Sequence, residues 1–329
     1  MSSRIWSCLR ATALVVAATL AGGAGAEDTA VATIPAFQTL FGTHPGYRPV
    51  HTKGLVAEGV FVPAPGAATL SSAAHLAGGS VPVIVRLSNF AGTPVNRDAG
   101  PLAAPHGMAV KFLLPDSDTD LVAHSYDGFP AATPGDFLEF LRALAAGDAG
   151  APPGEGTLGR YLAAHPPARA FLDAPKPPPV SWANESFFGV NAFRFVDGEG
   201  HGRFGRYRIL PTAGDARLTA AETAAMDPDY LRHELTGRLA GGAVTWRIVV
   251  QLAADGDRVE DGSVPWPADR PIVELGTLRV ERLVPDSLAA ERKLMFSPLN
   301  LVAGIEPSSD PMLAARARAY GESYRRRTP

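Results

Sequence analysis

The fold is decided by residues 296–327, FSPLNLVAGIEPSSDPMLAARARAYGESYRRR. This stretch begins with a run rich in proline and glycine and then takes on a helical pattern. One of the polar residues 308–310 can cap the first turn of a helix, and Pro311 suits its first position. Arg316 and Tyr320 are four residues apart, so a helix stacks them on one face. The stretch therefore predicts a C-terminal helix that carries a guanidinium next to a phenol.

The pair of Arg316 and Tyr320 allows two interpretations. A guanidinium one helical turn from a phenol favours the ionised phenolate, which can bind a hard metal ion, and tyrosinate is one of the axial ligands found on haem iron. Alternatively, Tyr320 packs an amphipathic terminal helix and Arg316 is a solvated charge. The second interpretation is the ordinary one for an isolated pair, so the surrounding residues have to decide.

The segment as a whole resembles the proximal haem-binding segment of the haem catalases. It matches the pattern NPxNxxxGIEPSxDxMLxxRxxxY, with Ser297 in the first position. The resemblance implies that Tyr320 is the fifth ligand of a haem iron and that Arg316 pairs with it. It further implies that Met312 contributes to the cofactor site and that Arg327 binds a haem propionate.

A segment near the beginning of the chain resembles the distal half of the same site. Residues 48–61 fit the catalase pattern RxxHxKGxxAxGxF. Cleavage of the O–O bond of a peroxide needs a base that takes a proton from one oxygen and returns it to the other, and a histidine does this well. The resemblance gives this role to His51, places Val50 at the entrance above the haem, and directs Arg48 towards a propionate.

Residues 81–88, VPVIVRLS, predict an apolar strand that contains one arginine. An arginine in so apolar a strand needs an anionic partner. The strand is similar to the catalase pattern VRFS, with Leu87 in place of the usual phenylalanine. The resemblance implies that Arg86 binds a propionate and that Ser88 hydrogen-bonds the distal histidine.

The main departure from the catalase pattern is His124. The preceding strand, residues 107–114, matches the family, although His106 stands where an arginine is usual. His124 occupies the position of the distal asparagine, which positions and polarises peroxide during dismutation. Efficient catalase activity is therefore not expected, whereas a peroxidase reaction is. His124 could donate a hydrogen bond or cap a strand, and we count it with His51 and Ser88 as a candidate catalytic residue.

Two further aromatic positions are similar to the catalases. Phe129 and Phe137 align with aromatic residues that flank the haem and its access channel. Phe137 also belongs to an apolar pattern at helical spacing, so core packing explains it equally well. Behind the proximal arginine, catalases have a relay of a histidine and an aspartate. Asp310 is present at the aspartate position, but Asn191 replaces the histidine, so the relay is expected to be altered.

Residues 1–26 predict a secretory signal peptide. Two arginines form a basic region, residues 11–20 are apolar, and residues 24–26 are a small-residue cleavage site. The apolar run is shorter than the roughly 20 residues that a membrane span needs. Residues 27–329 are then one exported, periplasmic domain without stable membrane association. Cys8, the single cysteine, lies in the removed part, which excludes a disulfide and a thiolate ligand.

Length and composition favour one large domain. The 329 residues are 46% hydrophobic, and the formal net charge of -3 argues against a nucleic-acid partner. At least seven strand-like patterns, two or three helices and a closing helix predict an α+β domain dominated by an antiparallel sheet. The resemblance, which runs from Tyr47 to the C-terminus, implies the catalase-like eight-stranded β-barrel with flanking helices and with haem against the terminal helix.

The chain is most similar to the short exported catalase-related peroxidases. This resemblance implies haem b, with its iron, as the cofactor. It implies the reduction of hydrogen peroxide or organic hydroperoxides by a small organic electron donor, with weak or no catalase activity. Two other functions stay open, a haem-dependent lyase or isomerase that acts on fatty-acid hydroperoxides, and a non-catalytic haem-binding protein. Assembly into a homo-oligomer is compatible with all three.

Overall fold

The computed structural model describes residues 23–152 and 154–328, with side chains from residue 29 onwards. Of the predicted signal peptide, only residues 23–26 are described, as the start of a helix, and Cys8 lies outside the described residues. No helix in the described part of the chain has the length and apolarity needed to cross a membrane.

The described residues form eight α-helices and ten β-strands. In chain order they are α1 (Gly23–Phe41), β1 (Gly54–Pro63), β2 (Val81–Ser88), β3 (Gly107–Leu113), β4 (Asp118–His124), α2 (Pro134–Ala146), α3 (Thr157–Ala164), α4 (Pro166–Asp173), β5 (Phe187–Phe188), β6 (Phe193–Val196), β7 (Gly202–Pro211), α5 (Ala220–Ala225), α6 (Tyr230–Gly241), β8 (Val244–Leu252), β9 (Ile272–Leu283), α7 (Ser287–Lys293), β10 (Ile305–Pro307) and α8 (Pro311–Arg327). The sequence patterns do not predict α4, α5 and α7, because helices of 8, 6 and 7 residues are too short for a readable periodicity.

Eight strands close into an antiparallel β-barrel, which confirms the predicted fold. Their order is β7-β5-β4-β3-β2-β1-β9-β8, and pairing of β8 with β7 closes the barrel. Strand β6 pairs with β7 next to β5, and β10 pairs with β6. Closure pairs the backbone groups that would otherwise form two free edges.

The main apolar core lies inside this barrel. All eight strands contribute buried apolar side chains to one continuous cluster, and such a cluster can form only on the inward face of a closed sheet. One representative residue from each strand is Leu55, Val83, Val110, Leu121, Phe187, Ile209, Ile248 and Leu278.

Strand β2 shows how this core determines the direction of the functional side chains. Val83, Val85 and Leu87 are buried in the apolar cluster. Successive side chains in a strand point to opposite faces, so Arg86 and Ser88 emerge on the outward face. The hydrophobic pattern of the strand therefore selects which side of the barrel carries the polar residues.

The apolar pattern of residues 188–196 predicts one continuous strand, but in the structure this strand is interrupted. Its two ends pair with the same partner, β7, as strands β5 and β6, but residues 189–192 leave the ladder. Asn191 lies in this interruption, where its side chain is free to contact α8. The prediction of one continuous strand was wrong because the apolar pattern gives no sign that the backbone changes direction at residues 189–192.

The N-terminal helix packs on the outside of the barrel together with α2 and α8. Phe37 of α1 joins Phe140, Leu141 and Phe171 in a second apolar cluster. Taken alone, the sequence of residues 36–44 predicts only a short helical or linking segment, whereas α1 extends over Gly23–Phe41. The helix is longer because its apolar side chains are buried against neighbouring helices, a contact that the sequence of α1 does not reveal.

Candidate functional site

A cavity of about 220 Å³ contains every predicted site residue. Its walls come from the outward faces of β2, β3 and β4, from the segment before β1, and from α1 and α8. The twelve residues that the sequence predicts all line it, and they are Arg48, Val50, His51, Arg86, Ser88, His124, Phe129, Phe137, Met312, Arg316, Tyr320 and Arg327. The fold thus brings the two ends of the chain to one site.

One wall of the cavity carries the Arg316–Tyr320 pair of α8. The Nη2 and Nε atoms of Arg316 donate hydrogen bonds to the phenol oxygen of Tyr320 at 2.9 and 3.3 Å. Two donors from a cation stabilise negative charge on that oxygen. The pair is therefore chemically suited to present a phenolate to a metal ion.

Arg316 is held from behind by a chain of hydrogen bonds. Its Nη1 atom donates to Oδ1 of Asn191, and Nδ2 of Asn191 donates to Oδ2 of Asp310 at 2.7 Å. Asp310 also caps α8, since its Oδ1 accepts from the backbone N–H of Met312 at 2.8 Å. Burial raises the pKa of Asp310. The amide of Asn191 holds Arg316 in place without adding a group that titrates.

On the opposite side, the backbone of His51 adopts an unusual conformation. Its φ angle is 55°, and among the described residues no other non-glycine residue has a positive φ. This conformation is unfavourable for a residue with a Cβ atom, so the surroundings must hold it. The backbone N–H of His51 donates to the carbonyl of Phe90 at 2.7 Å, and Nη2 of Arg86 donates to the carbonyl of His51 at 2.7 Å.

The imidazole ring of His51 is confined by three neighbours. Its Nδ1 atom shares a hydrogen bond with Oγ of Ser88 at 3.2 Å. The ring packs edge-on against Phe90 with 5.6 Å between centroids. A Cβ atom on Gly107 would lie only 2.9 Å from Nδ1, so a glycine is needed at that position. The bond at Nδ1 leaves Nε2 available to a ligand.

The sheet register places His124 near His51. Ser88 pairs with Gly107, and Gly107 pairs with His124, so the three residues form a row across β2, β3 and β4. Neighbouring strands are about 4.8 Å apart, which puts the Cα atoms of Ser88 and His124 roughly 10 Å apart. Both ring nitrogens of His124 are buried, and neither has a hydrogen-bond partner in the described part of the chain. The strand-cap alternative therefore has no support.

Both distal histidines are neutral at ordinary pH. Burial, followed by the positive charge of Arg86, lowers the pKa of His51 to about 3. Burial, followed by the positive charge of Arg316, lowers the pKa of His124 to about 3. Each imidazole can therefore accept a proton from a ligand in the cavity.

The polar end of the cavity has unused capacity to bind an anion. Burial, together with the charges of Arg86 and Arg327, lowers the pKa of Arg48 well below its usual value. Burial, followed by the charge of Arg86, lowers the pKa of Arg327 to about 10. The Nε atom of Arg327 is buried without a hydrogen-bond partner among residues 23–152 and 154–328. Crowded guanidinium groups with a free buried donor are suited to carboxylates.

The residues that line the cavity fit a haem group. A phenol with a cationic partner can bind iron, an imidazole lies on the opposite side, and arginines at one end can bind propionates. Apolar side chains such as Val50, Phe129 and Met312 line the space between.

Sequence reasoning missed several residues of this site. Glu291 of α7 lies between Arg48 and Arg86, and its sequence neighbours give no sign that it is buried. Ile34 and Phe37 of α1 also line the cavity. The apolar face of α1 indicates that this helix packs against other elements, but the sequence does not show which elements they are.

Comparisons with known proteins agree with this geometry. The family model described as Catalase matches residues 45–329. The chain is 36% identical over 307 residues to the catalase-related peroxidase of Mycolicibacterium paratuberculosis. The alignment covers 90% of this chain and 93% of that protein. It is 31% identical over 328 residues to the catalase-related peroxidase of Synechococcus elongatus, covering 98% of this chain and 96% of that protein.

Two solved structures share the fold. A fungal catalase superposes with a TM-score of 0.75 at 21% identity, over 85% of this chain and 59% of that one. Catalase A from Saccharomyces cerevisiae gives a TM-score of 0.75 at 20% identity, over 85% of this chain and 61% of that one. The chain thus spans about 60% of the length of these catalases. With its family model, its relatives and its barrel in agreement, this chain belongs to the catalase family.

Proposed function

We propose that the protein is a haem peroxidase that reduces hydrogen peroxide or organic hydroperoxides with a small organic electron donor. It is an oxidoreductase that acts on peroxide, and its cofactor is haem b. The observation that carries this proposal is the shared cavity, in which the Arg316–Tyr320 pair and the His51–Ser88 pair face one ligand space. The names of the two bacterial relatives, both catalase-related peroxidases, support the same function.

The residues of the chain divide the work around the cofactor. The haem, when bound, supplies the redox chemistry that reduces the peroxide. Tyr320 would ligate the iron, and Arg316 donates two hydrogen bonds to its phenol oxygen. His51 takes a proton from one peroxide oxygen through Nε2 and returns it to the other, while the hydroxyl of Ser88 fixes the ring through Nδ1.

The distal site favours peroxidase turnover over dismutation. Catalases hold the second peroxide with an asparagine amide, which can donate and accept hydrogen bonds at the same time. The neutral ring of His124 offers one donor and one acceptor, which lie at different edges of a rigid ring and point in different directions. A second peroxide is therefore held less well, and an organic reductant completes the cycle.

The cavity walls suit an apolar reductant. Helix α1 contributes Ala30, Thr33, Ile34 and Phe37 to the lining, and the hydroxyl of Thr33 is already bonded to the carbonyl of Ala30 at 2.6 Å. Walls of this kind favour aromatic or aliphatic molecules over charged ones. We propose a small phenol-like donor for this reason.

Replacing Tyr320 with phenylalanine tests the proposal. Tyr320→Phe removes the oxygen that would bind iron, so the charge-transfer bands of a tyrosinate-bound haem should disappear from the absorption spectrum, and peroxidase activity with a phenolic donor should fall by at least an order of magnitude. Tyr324→Phe is the matched control, since Tyr324 lies one turn further along the same helix, is not one of the residues that line the cavity, and bonds the carbonyl of Lys293 through its hydroxyl.

The same assays separate the alternative functions. Oxidation of a phenol that requires peroxide supports the peroxidase, whereas consumption of a lipid hydroperoxide without any donor supports the lyase or isomerase. A haem spectrum with neither activity supports a non-catalytic binding protein. An unchanged spectrum and activity in Tyr320→Phe contradicts the assignment of the iron ligand.

Restoring an asparagine at position 124 tests the role of the distal histidine. We expect His124→Asn to raise oxygen evolution from hydrogen peroxide several-fold relative to oxidation of a phenolic donor, because an amide can position a second peroxide. An oxygen electrode and a colorimetric donor assay give the two rates. His201→Asn, at an exposed turn, serves as control. A ratio that does not move in His124→Asn refutes this reading.

The depressed pKa values of His51 and His124 predict acid sensitivity of the cofactor-free protein. An unfolded chain takes up protons on these histidines below a pH of about 6.5, but the folded one resists until about 3. The free energy of unfolding is therefore highest above 6.5 and falls as the pH decreases, by up to about 1.4 kcal/mol per pH unit for each histidine. Urea unfolding between pH 7 and 4 measures this slope, and it should be shallower in His124→Asn. Equal slopes in wild type and His124→Asn would contradict the lowered pKa of His124.

We also propose that residues 1–26 are a signal peptide and that the remaining chain is periplasmic. The order of basic, apolar and small residues supports this proposal. Protein recovered from the periplasm of a bacterial host should begin at Glu27 when its N-terminus is sequenced. Ala26→Arg, which spoils the cleavage site, should yield an unprocessed chain. A full-length chain found only in the cytoplasm would refute the proposal.

A further inference from the structure

Glu291 is a buried carboxylate that contacts two of the arginines lining the cavity, Arg48 and Arg86. It lies near the end of α7 and is 5% exposed. Its Oε2 atom accepts hydrogen bonds from Nε and Nη2 of Arg86 at 3.0 and 2.7 Å and from Nη1 of Arg48 at 3.1 Å. A single carboxylate oxygen thus accepts three hydrogen bonds from two arginines that line the cavity.

The backbone after Glu291 is attached to the same arginines. Nη2 of Arg48 donates to the carbonyl oxygens of Glu291 and Leu294 at 3.3 and 3.0 Å. Nη2 of Arg327 donates to the carbonyl of Leu294 at 2.7 Å. Carbonyl groups at the end of a helix carry partial negative charge, so they add to the anionic character of this contact. The end of α7 therefore acts as one unit that lies against all three arginines.

The charges in this cluster do not balance. Arg48, Arg86 and Arg327 face one carboxylate, and the pKa values of Arg48 and Arg327 are lowered even with Glu291 beside them. Nε of Arg327 also has no acceptor in the described part of the chain. The cluster is therefore built to receive more negative charge than Glu291 provides.

Glu291 and an incoming carboxylate would compete for the same donors. The fork formed by Nε and Nη2 of Arg86 is the side of a guanidinium that binds a carboxylate with two parallel bonds, and Glu291 already fills it. Two carboxylates on one fork repel each other strongly in a buried environment. A ligand carboxylate can take this position only if Glu291 leaves it.

We propose that Glu291 is an internal substitute for a carboxylate of the cofactor. It binds Arg48 and Arg86 in the cofactor-free protein, and it is exchanged for a porphyrin propionate when the cofactor enters. This inference rests on the proposed haem function and adds a loading step to it. Glu291 stabilises the empty pocket and lowers its affinity for the cofactor, so it is a positioning residue and not a catalytic one.

The opposite role for Glu291 predicts the opposite result. If Glu291 were a permanent counter-ion that holds Arg48 and Arg86 in position for the cofactor, its removal would disorganise both arginines and weaken binding. The direction of the change in affinity therefore separates the two roles.

The test is a titration of purified cofactor-free protein with ferric protoporphyrin IX, followed by the Soret band. Glu291→Gln should lower the melting temperature of the cofactor-free protein and lower the Kd for the porphyrin at least tenfold. Glu274→Gln is the matched control, because it removes a carboxylate from an exposed ion pair with Arg247. The control should change neither quantity. An equal or higher Kd in Glu291→Gln overturns the proposal.

A porphyrin without free carboxylates makes the test specific. Ferric protoporphyrin IX dimethyl ester should bind wild type and Glu291→Gln equally well, since it has no anion to compete with Glu291. A similar gain in affinity for the ester overturns carboxylate exchange. If Glu291→Gln does not fold, Glu291→Asp takes its place. This variant keeps the charge but shortens the side chain, so its Kd for ferric protoporphyrin IX should be lower than that of wild type.

The failure of this inference can be told from the failure of the proposed function. If wild-type protein binds ferric protoporphyrin IX and Glu291→Gln binds it no better, only the exchange is wrong. If wild-type protein forms no Soret complex with either porphyrin, both the haem function and the exchange are overturned.

Discussion

The two hydrogen bonds from Arg316 to the phenol of Tyr320 are the interaction on which the site depends. Iron binds the ionised form of a phenol, and hydrogen bonds from an adjacent cation favour that form. That cation must itself be held, and Asn191 and Asp310 do so from the barrel and from the first turn of α8. Polar groups thus connect the barrel and the terminal helix next to the phenol oxygen of Tyr320.

Burial acts differently on the two kinds of basic side chain in the cavity. It makes the imidazoles of His51 and His124 neutral, so they can exchange protons with a ligand. The arginines keep their charge and must find anions, because guanidinium groups do not lose their proton in proteins. Glu291 supplies negative charge to Arg48 and Arg86, and in the exchange proposed above the carboxylates of the cofactor replace it. One enclosed space therefore contains both a neutral acid–base region and a cationic anchoring region.

The catalase-like patterns predicted residues that share one cavity, but they did not predict what surrounds them. All twelve predicted residues line one cavity. Each was predicted from a segment in which the residue types and their spacing match a catalase pattern. Glu291 and helix α1 were missed, since a glutamate in a short charged helix and an apolar helix face look the same whether or not they meet a cavity. The row of Ser88, Gly107 and His124 also follows from strand register, which no single segment specifies.

The sequence by itself determined the alternation of β2, the spacing of Arg316 and Tyr320, and the residue types of both half-sites, because these depend on the local geometry of strands and helices. Only the tertiary structure decided that His51 is strained and neutral and that Glu291 binds Arg48 and Arg86. Both properties come from burial, and burial depends on which distant segments pack together. Barrel closure and the docking of α8 bring those segments into contact, and this depends on the whole chain rather than on any one stretch of it.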